Sequence, residues 1–308
     1  MAPTAGRALC GRAAGHDQVK ALILGSSGQV AHALMQSAGD INATALGRPA
    51  IDLADPDSVR GAIAAHRPDI VINAAAYTAV DRAESEADAA FALNRDGPAA
   101  AAKAAQEIGA AFIHLSTDFV FDGTKAGPYL EDDATGPTGV YGQSKLEGEQ
   151  AVAAAHPGAV TVRLSWVYAV HGANFAKTML RLAETRDEIG VVHDQRGRPT
   201  AAEDIAPALW TLAKGLAENG DSPNRLYHLG PQGDASWAEF AQAIMAASSA
   251  AGGPSATIKR ITTADYPTPA KRPANSVLDC TRINEDWGIT LPRWEESCEK
   301  VVREIVRC

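Results

Sequence analysis

The chain has 308 residues, 46% of them hydrophobic, and a formal net charge of −9. That is enough for one large domain or two coupled ones around a substantial core. No stretch approaches the ~20 apolar residues of a membrane span, and an acidic balance with no Lys/Arg block argues against nucleic acid or an anionic membrane as the main partner.

Residues 1–18 (MAPTAGRALCGRAAGHDQ) are rich in Ala, Gly and Arg and lack the apolar core of a secretory signal. A transit peptide has that composition, but a disordered extension or a misassigned start is the preferred expectation. The segment 19–25 (VKALILG) reads as a buried strand, 29–38 as a helix and 41–46 as a weaker strand. The stretch 55–67 reads as a helix with Asp55 at its N-cap and Pro56 in the first turn. A strand follows at 69–76. A long helix is predicted over 83–109, stopped by Gly109 and kinked or broken at Pro98. Strands are predicted at 110–117 and 159–168, with a helix opening near Tyr141 between them.

Short apolar strands alternating with helices predict a doubly wound, parallel, Rossmann-type α/β sheet. The second half is less regular: a returning strand at 225–230, a helix at 236–248 with a Ser236/Glu239 capping box, a Pro-rich segment at 264–276 and a C-terminal helix. The expected division is a dinucleotide-binding domain of residues 19–170 plus about 200–230. A smaller α/β substrate-binding lobe comprises about 171–199 plus 231–308.

Ligands of such sheets bind beyond the carboxyl ends of the strands. After the first strand, GSSGQVA offers Gly25, Ser27, Gly28, Gln29 and Val30 as a turn whose glycines and helix N-terminus suit a pyrophosphate. After the second, GRPAIDL carries Arg48 and no acid at its tip; an Arg there accommodates a 2′-phosphate, so NADPH is expected in preference to NADH. Asp52 and Leu53 follow, where an adenine would lie. After the third strand, Ala74, Ala75 and Ala76 leave room for a ribose or nicotinamide. After the fourth, a hydroxyl of Thr117 or Ser116 is placed to hold a carbonyl oxygen. After the fifth, Trp166 is available as an aromatic wall.

In GVYGQSKLEGEQ, residues 139–150, Tyr141 and Lys145 stand one helical turn apart. A cation beside a phenol makes it a better acid. Together these features read as hydride transfer between a nicotinamide and a carbonyl. Tyr141 donates the proton, Lys145 lowers its pKa and holds the nicotinamide ribose, and Thr117 polarises the carbonyl.

In this order, GSSGQVA, NAAAYTAVDRAESE, LSTDFVFDG, YGQSKLEGE, RLSWVY, DQRGRPT, YHLGPQGDASWAEFA and KRPANSVLD resemble the extended branch of the short-chain dehydrogenase/reductase superfamily. Within it they are similar to the dTDP-4-dehydrorhamnose reductase family, from about residue 19 to the C-terminus. The resemblance implies a Thr117–Tyr141–Lys145 triad and NAD(P)H-dependent reduction of the C4 ketone of dTDP-4-dehydro-L-rhamnose. It implies that Trp166 contacts the deoxysugar, with Val80 and Phe119 nearby; the family commonly has Tyr at the place of Phe119. Arg198 and Arg272 are candidates for the substrate diphosphate. Some members dimerise around a magnesium held partly by a glutamate of the first helix. Ala33 stands at that place here, so no metal is expected, and either a monomer or a dimer without a metal bridge.

The four cysteines (Cys10, Cys280, Cys298, Cys308) form no CxxC pair and the eight histidines no metal motif, which fits a cytoplasmic protein without a structural metal. The alternatives are a reductase or epimerase of another nucleotide-activated ketosugar, or a non-catalytic cofactor-binding subunit similar to the methionine adenosyltransferase regulatory subunit. Asp118 is followed by Phe119, so the Asp-Glu pair of the related dehydratases is missing.

Overall fold

The structure, a computed structural model, describes residues 18–307. The expectation of a disordered extension at 1–18 falls almost wholly outside those residues.

The first half alternates strand and helix: β1(Lys20–Leu24), α1(Gln29–Gln36), β2(Asn42–Leu46), α2(Pro56–His66) and β3(Ile70–Asn73). Then come α3(Val80–Ala83), α4(Ala87–Phe91), α5(Gly97–Ile108), β4(Ala111–Thr117), α6(Val140–Ala155) and β5(Val160–Leu164). The second half holds β6(Val167–Tyr168), α7(Phe175–Ala183), β7(Glu188–Val192), β8(Arg196–Gly197), β9(Thr200–Ala201) and α8(Ala202–Asn219). It ends with β10(Leu226–His228), β11(Ala235–Ser236), α9(Trp237–Ala250), β12(Thr257–Ile261), α10(Thr281–Trp287) and α11(Trp294–Arg307).

Six strands form one sheet in the order β10-β5-β4-β3-β1-β2, and every pairing in it is parallel. The order of strands reverses between β1 and β3. At such a switch point the following loops splay to opposite faces and leave a crevice. The strands are apolar throughout because helices cover both faces. On one face Leu22, Leu24, Val71 and Phe112 pack under α2, α5 and Val152 of α6. On the other, Ile23, Ile72, Ile113 and Val162 meet Leu34 of α1 and Ile205, Leu209 and Leu212 of α8. Each such side chain removed from water contributes about 1.5–3 kcal/mol. A separate core joins Tyr168, Met179, Ile189, Phe240, Ile244, Val301 and Val302, drawn from β6, α7, α9, α11 and the parallel β7–β12 pair.

Local signals account for the element ends. Asp55 accepts the Asp57 amide at 3.0 Å and Pro56 opens α2. Ser236 and Glu239 form the reciprocal capping box of α9.

Two expected elements are subdivided. The single helix predicted at 83–109 is α3, α4, a π-helical stretch at Ala92–Asp96, and α5. Pro98 sits in the first turn of α5, where a missing N–H costs nothing, so the irregularity lies upstream of the proline. The strand predicted at 159–168 breaks at Ser165 and Trp166, and Trp166 takes a left-handed φ of +46°. α7, β7, α8, β12 and α10 have no counterpart in the sequence reading. β7 alternates buried and exposed residues at a lobe edge, a weaker signal than the run of β1.

Candidate active site

The turn after β1 brings three strand ends together. Gly25 adopts φ +104°, which a side chain resists. Its amide donates to the Leu46 carbonyl at the end of β2, 2.7 Å away. A β-carbon there would stand 3.2 Å from the Ala75 amide beyond β3. Gly28 is the N-cap of α1 and has no side chain to occupy the free amides of the first turn. Ser27 is exposed; Val30 is buried and anchors the helix. Gln29 is tied down by Asn174, whose amide donates to its Oε1 at 3.1 Å. Free helical amides, close backbone and a rim of half-exposed Ala74, Ala75 and Ala76 fit a dinucleotide pyrophosphate.

Arg48 is exposed beyond β2, and among the described residues it forms no ion pair. Asp52 spends one carboxylate oxygen on the Ala54 amide, at 3.0 Å. Leu53 is in the core against Gly97, so little of its side chain faces a ligand.

The second part of the site is built on β4 and α6. Thr117, at the end of β4, is buried; its hydroxyl donates to Asp118 Oδ1 at 3.0 Å and accepts the Phe119 amide at 3.2 Å, and it stands toward the Tyr141 hydroxyl closely enough to lower the phenol's pKa. The Phe119 ring meets the Tyr141 ring edge-on, centroids 5.5 Å apart. Arg272, from the Pro-rich segment, lies over Phe119 at 5.9 Å and pairs with Asp81 of α3 at 2.8 Å. Its Nη1 is buried without a partner. Val80 opens α3 beside Asp81 and is half-buried. Lys145 is 2% exposed and its ammonium donates to the Leu115 carbonyl at 2.7 Å. Asn94, in the π-helical stretch, ties the cofactor side to α6: its Oδ1 accepts the Tyr77 amide at 2.8 Å and its Nδ2 donates to Ser144 Oγ at 3.0 Å.

The expected acidification of Tyr141 by Lys145 is corrected by this geometry. Burial pushes the phenol up to about 12, the Thr117 hydrogen bond pulls it down by less, and the Asp118 carboxylate adds to the rise. The residue as a whole keeps partial contact with solvent. Lys145 is itself pushed down to about 8 by burial, with its ammonium turned to Leu115. Desolvation is the largest influence on both groups.

The remaining candidates lie on the lobe side. The Trp166 ring stacks on Trp237 at 3.6 Å and 7°, beside Gly197. Arg198 turns inward: its Nη1 donates to the Pro231 carbonyl at 2.7 Å, while its Nε is buried without a partner.

Several residues around the site escaped the sequence reading. Asp118 joins Thr117 to Ser165, whose hydroxyl donates to Asp118 Oδ2 at 3.0 Å, and burial pushes its carboxyl up to about 6. Its position next to Thr117 was the available signal. Asp81 holds Arg272 and also accepts the Ala270 amide at 3.1 Å. No local pattern pairs residue 81 with 272, or 166 with 237.

A parallel sheet with a glycine turn at its switch point and a Thr–Tyr pair above a buried Lys defines a short-chain dehydrogenase/reductase of the extended type. Comparison with known proteins narrows the class. The family described as "RmlD substrate binding domain" matches residues 19–307. A dTDP-4-dehydrorhamnose reductase of Sinorhizobium fredii is 49% identical over 282 residues, 91% of this chain and 95% of that protein. One of Burkholderia thailandensis is 42% identical over 296 residues, 94% of this chain and 99% of the relative. The crystal structure of dTDP-4-dehydrorhamnose reductase from Bacillus anthracis in complex with NADP superimposes with a TM-score of 0.86 at 32% identity, covering 92% and 99% of the two chains. The chain belongs to the RmlD substrate binding domain family.

Proposed function

We propose that this protein reduces the C4 ketone of dTDP-4-dehydro-L-rhamnose to dTDP-L-rhamnose with NAD(P)H. The observation that carries the reading is Tyr141 set against the Thr117–Phe119 turn at the carboxyl edge of β4, its ring 5.5 Å from that of Phe119, with Lys145 one turn along α6. Near full-length similarity to proteins named for this reaction supports it over an epimerase or a non-catalytic subunit.

When bound, the reduced nicotinamide supplies a hydride to the carbonyl carbon. The free amides after Gly28 hold its pyrophosphate, and Ala74–Ala76 give its sugar-linked half room against the backbone. Thr117, its proton turned from Asp118 to the substrate, donates a hydrogen bond to the carbonyl oxygen as charge develops there. Tyr141 gives that oxygen its proton; a phenol held at about 12 is fully protonated at neutral pH, the form an acid must have. Lys145 hydrogen-bonds the nicotinamide ribose. Trp166 forms the wall of the sugar pocket, with Val80 and Phe119 beside it. Arg272, whose Nη1 lacks a partner, takes the diphosphate, with Arg198 as the second candidate.

The proposed division of labour places the cofactor on residues 19–170 plus about 200–230, and the sugar nucleotide on about 171–199 plus 231–308. The separate aromatic core of the second unit supports it. Among the described residues no helix is long and apolar enough to cross a membrane. A cytoplasmic location is part of the same reading.

The direct test is NADPH oxidation with dTDP-4-dehydrorhamnose beside UDP- and GDP-linked 4-ketosugars. Turnover confined to the dTDP substrate is expected; faster turnover of another nucleotide would reassign the substrate, and none at all would overturn the reading.

Two further results follow. Arg48→Ala raises KM for NADPH about tenfold and that for NADH little, because only NADPH carries the 2′-phosphate an exposed Arg meets. Equal changes would make Arg48 a loop residue only. EDTA leaves activity intact, because α1 presents buried Ala33 where a metal-bridged dimer requires a carboxylate. A metal-reversible loss would contradict this, and sedimentation with and without EDTA reads the assembly directly.

A further inference from the structure

Beneath the site lies a buried ion pair that the reaction as derived does not use. Glu149 of α6 faces Arg163 of β5 in a two-point fork, Nε to Oε1 at 2.9 Å and Nη2 to Oε2 at 2.7 Å. Their side chains are 9% and 3% exposed. Removing two charges from water costs several kcal/mol per ion, and well-packed apolar residues often serve stability as well or better. Stability alone is therefore a weak reason for a carboxylate here.

Its surroundings supply another. Glu149 follows Lys145 by four residues, so both side chains leave the same face of α6, one turn apart. Both reach β4: Lys145 Nζ donates to the Leu115 carbonyl at 2.7 Å, and Ser116 Oγ donates to Glu149 Oε1 at 2.5 Å. Thr117 is the next residue of that strand. Ammonium and carboxylate thus grip adjacent residues of β4, the two that precede Thr117.

We propose that Glu149, backed by Arg163, is a positioning residue for the reaction: its carboxylate is the buried countercharge that keeps Lys145 an ammonium, and its bond to Ser116 holds Thr117 in register with Tyr141. This rests on the reading of Lys145 as a member of the site.

The titratable groups around Lys145 agree in sign. From β4, His114 is fully buried and held neutral, pushed well below its usual value first by burial and then by the Lys145 charge. From its own helix come Tyr141, protonated, and Glu149. From β5 comes Arg163, beyond Glu149 and neutralised by it. Burial drives Lys145 down and Glu149 drives it up, with the balance near 8. A Lys whose folded value is depressed loses its charge as pH rises through that value. Withdrawing the carboxylate moves the loss to lower pH.

The test uses the full chain carrying lysine labelled with carbon-13 at Cε, with the Lys145 signal assigned through Lys145→Arg. Glu149→Gln/Arg163→Met removes both buried charges yet keeps an oxygen for Ser116. The expected result is a Lys145 titration midpoint lower than the parent's by about one pH unit, and an alkaline limb of kcat that moves with it. At pH 8, kcat then stands about tenfold below its own value at pH 6.5. Glu149→Asp keeps the charge and retains a midpoint near the parent's, although its shorter side chain disturbs the packing and the fork with Arg163. A midpoint unmoved in the double variant, or moved equally in Glu149→Asp, overturns the proposal. A parent inactive on every ketosugar would overturn the functional reading instead, and the Lys145 titration would still decide this one.

Discussion

Tyr141→Phe lowers kcat by about two or more orders of magnitude while cofactor affinity stays within about twofold. The substitution removes one oxygen and leaves a ring of the same shape against Phe119, so packing changes little. The lost atom is the phenol oxygen that stands toward Thr117 from α6. The developing alkoxide then has Thr117 alone, a donor with no proton to give up at neutral pH. Direct titration of NADPH binding separates this from a cofactor defect, and circular dichroism confirms an unchanged fold. A variant with near-parental kcat would remove Tyr141 from the chemistry. Because burial holds the phenol near 12, an alkaline limb of kcat near pH 8 does not belong to Tyr141, which stays protonated well above the neutral range.

Gly142→Ala destabilises the protein by about 2 kcal/mol and lowers kcat about tenfold or more. In an ordinary helix the change is favourable by about 1 kcal/mol. Here a β-carbon would stand 2.2 Å from the Phe119 carbonyl oxygen and 2.9 Å from Pro137 Cβ. Backbone lies on one side and a proline on the other, so no flexible side chain can move aside. Relief requires shifting the start of α6 away from the turn after Thr117, which widens the Tyr141–Thr117 contact. Thermal unfolding reads the first effect and single-turnover NADPH oxidation the second. A parental melting temperature together with parental kcat would mean that α6 has slack at this point and that the site does not depend on its close approach.

Much of the molecule was readable in one dimension. The Gly25–Gly28 turn, Asp55 and Pro56 at the start of α2, the Ser236/Glu239 box, and the Tyr141–Lys145 spacing are local: each depends on residues within one turn of each other. Continuous apolar runs implied a parallel sheet because only a doubly covered strand dispenses with a polar face. Even Glu149 was within reach of inspection, one turn beyond Lys145 on the same face.

Other features needed the fold. The Trp166–Trp237 stack, the Asp81–Arg272 clasp and the Arg163–Glu149 fork join residues far apart in sequence, and nothing local encodes their meeting. The sign of the Tyr141 shift also lay beyond the sequence. A spacing of four says that a phenol and an ammonium share a face; it does not say how much water each loses. Attraction between charges acts along the helix and is written in order and type of residue. Desolvation depends on what the rest of the chain packs over them, and in this protein that packing sets the result.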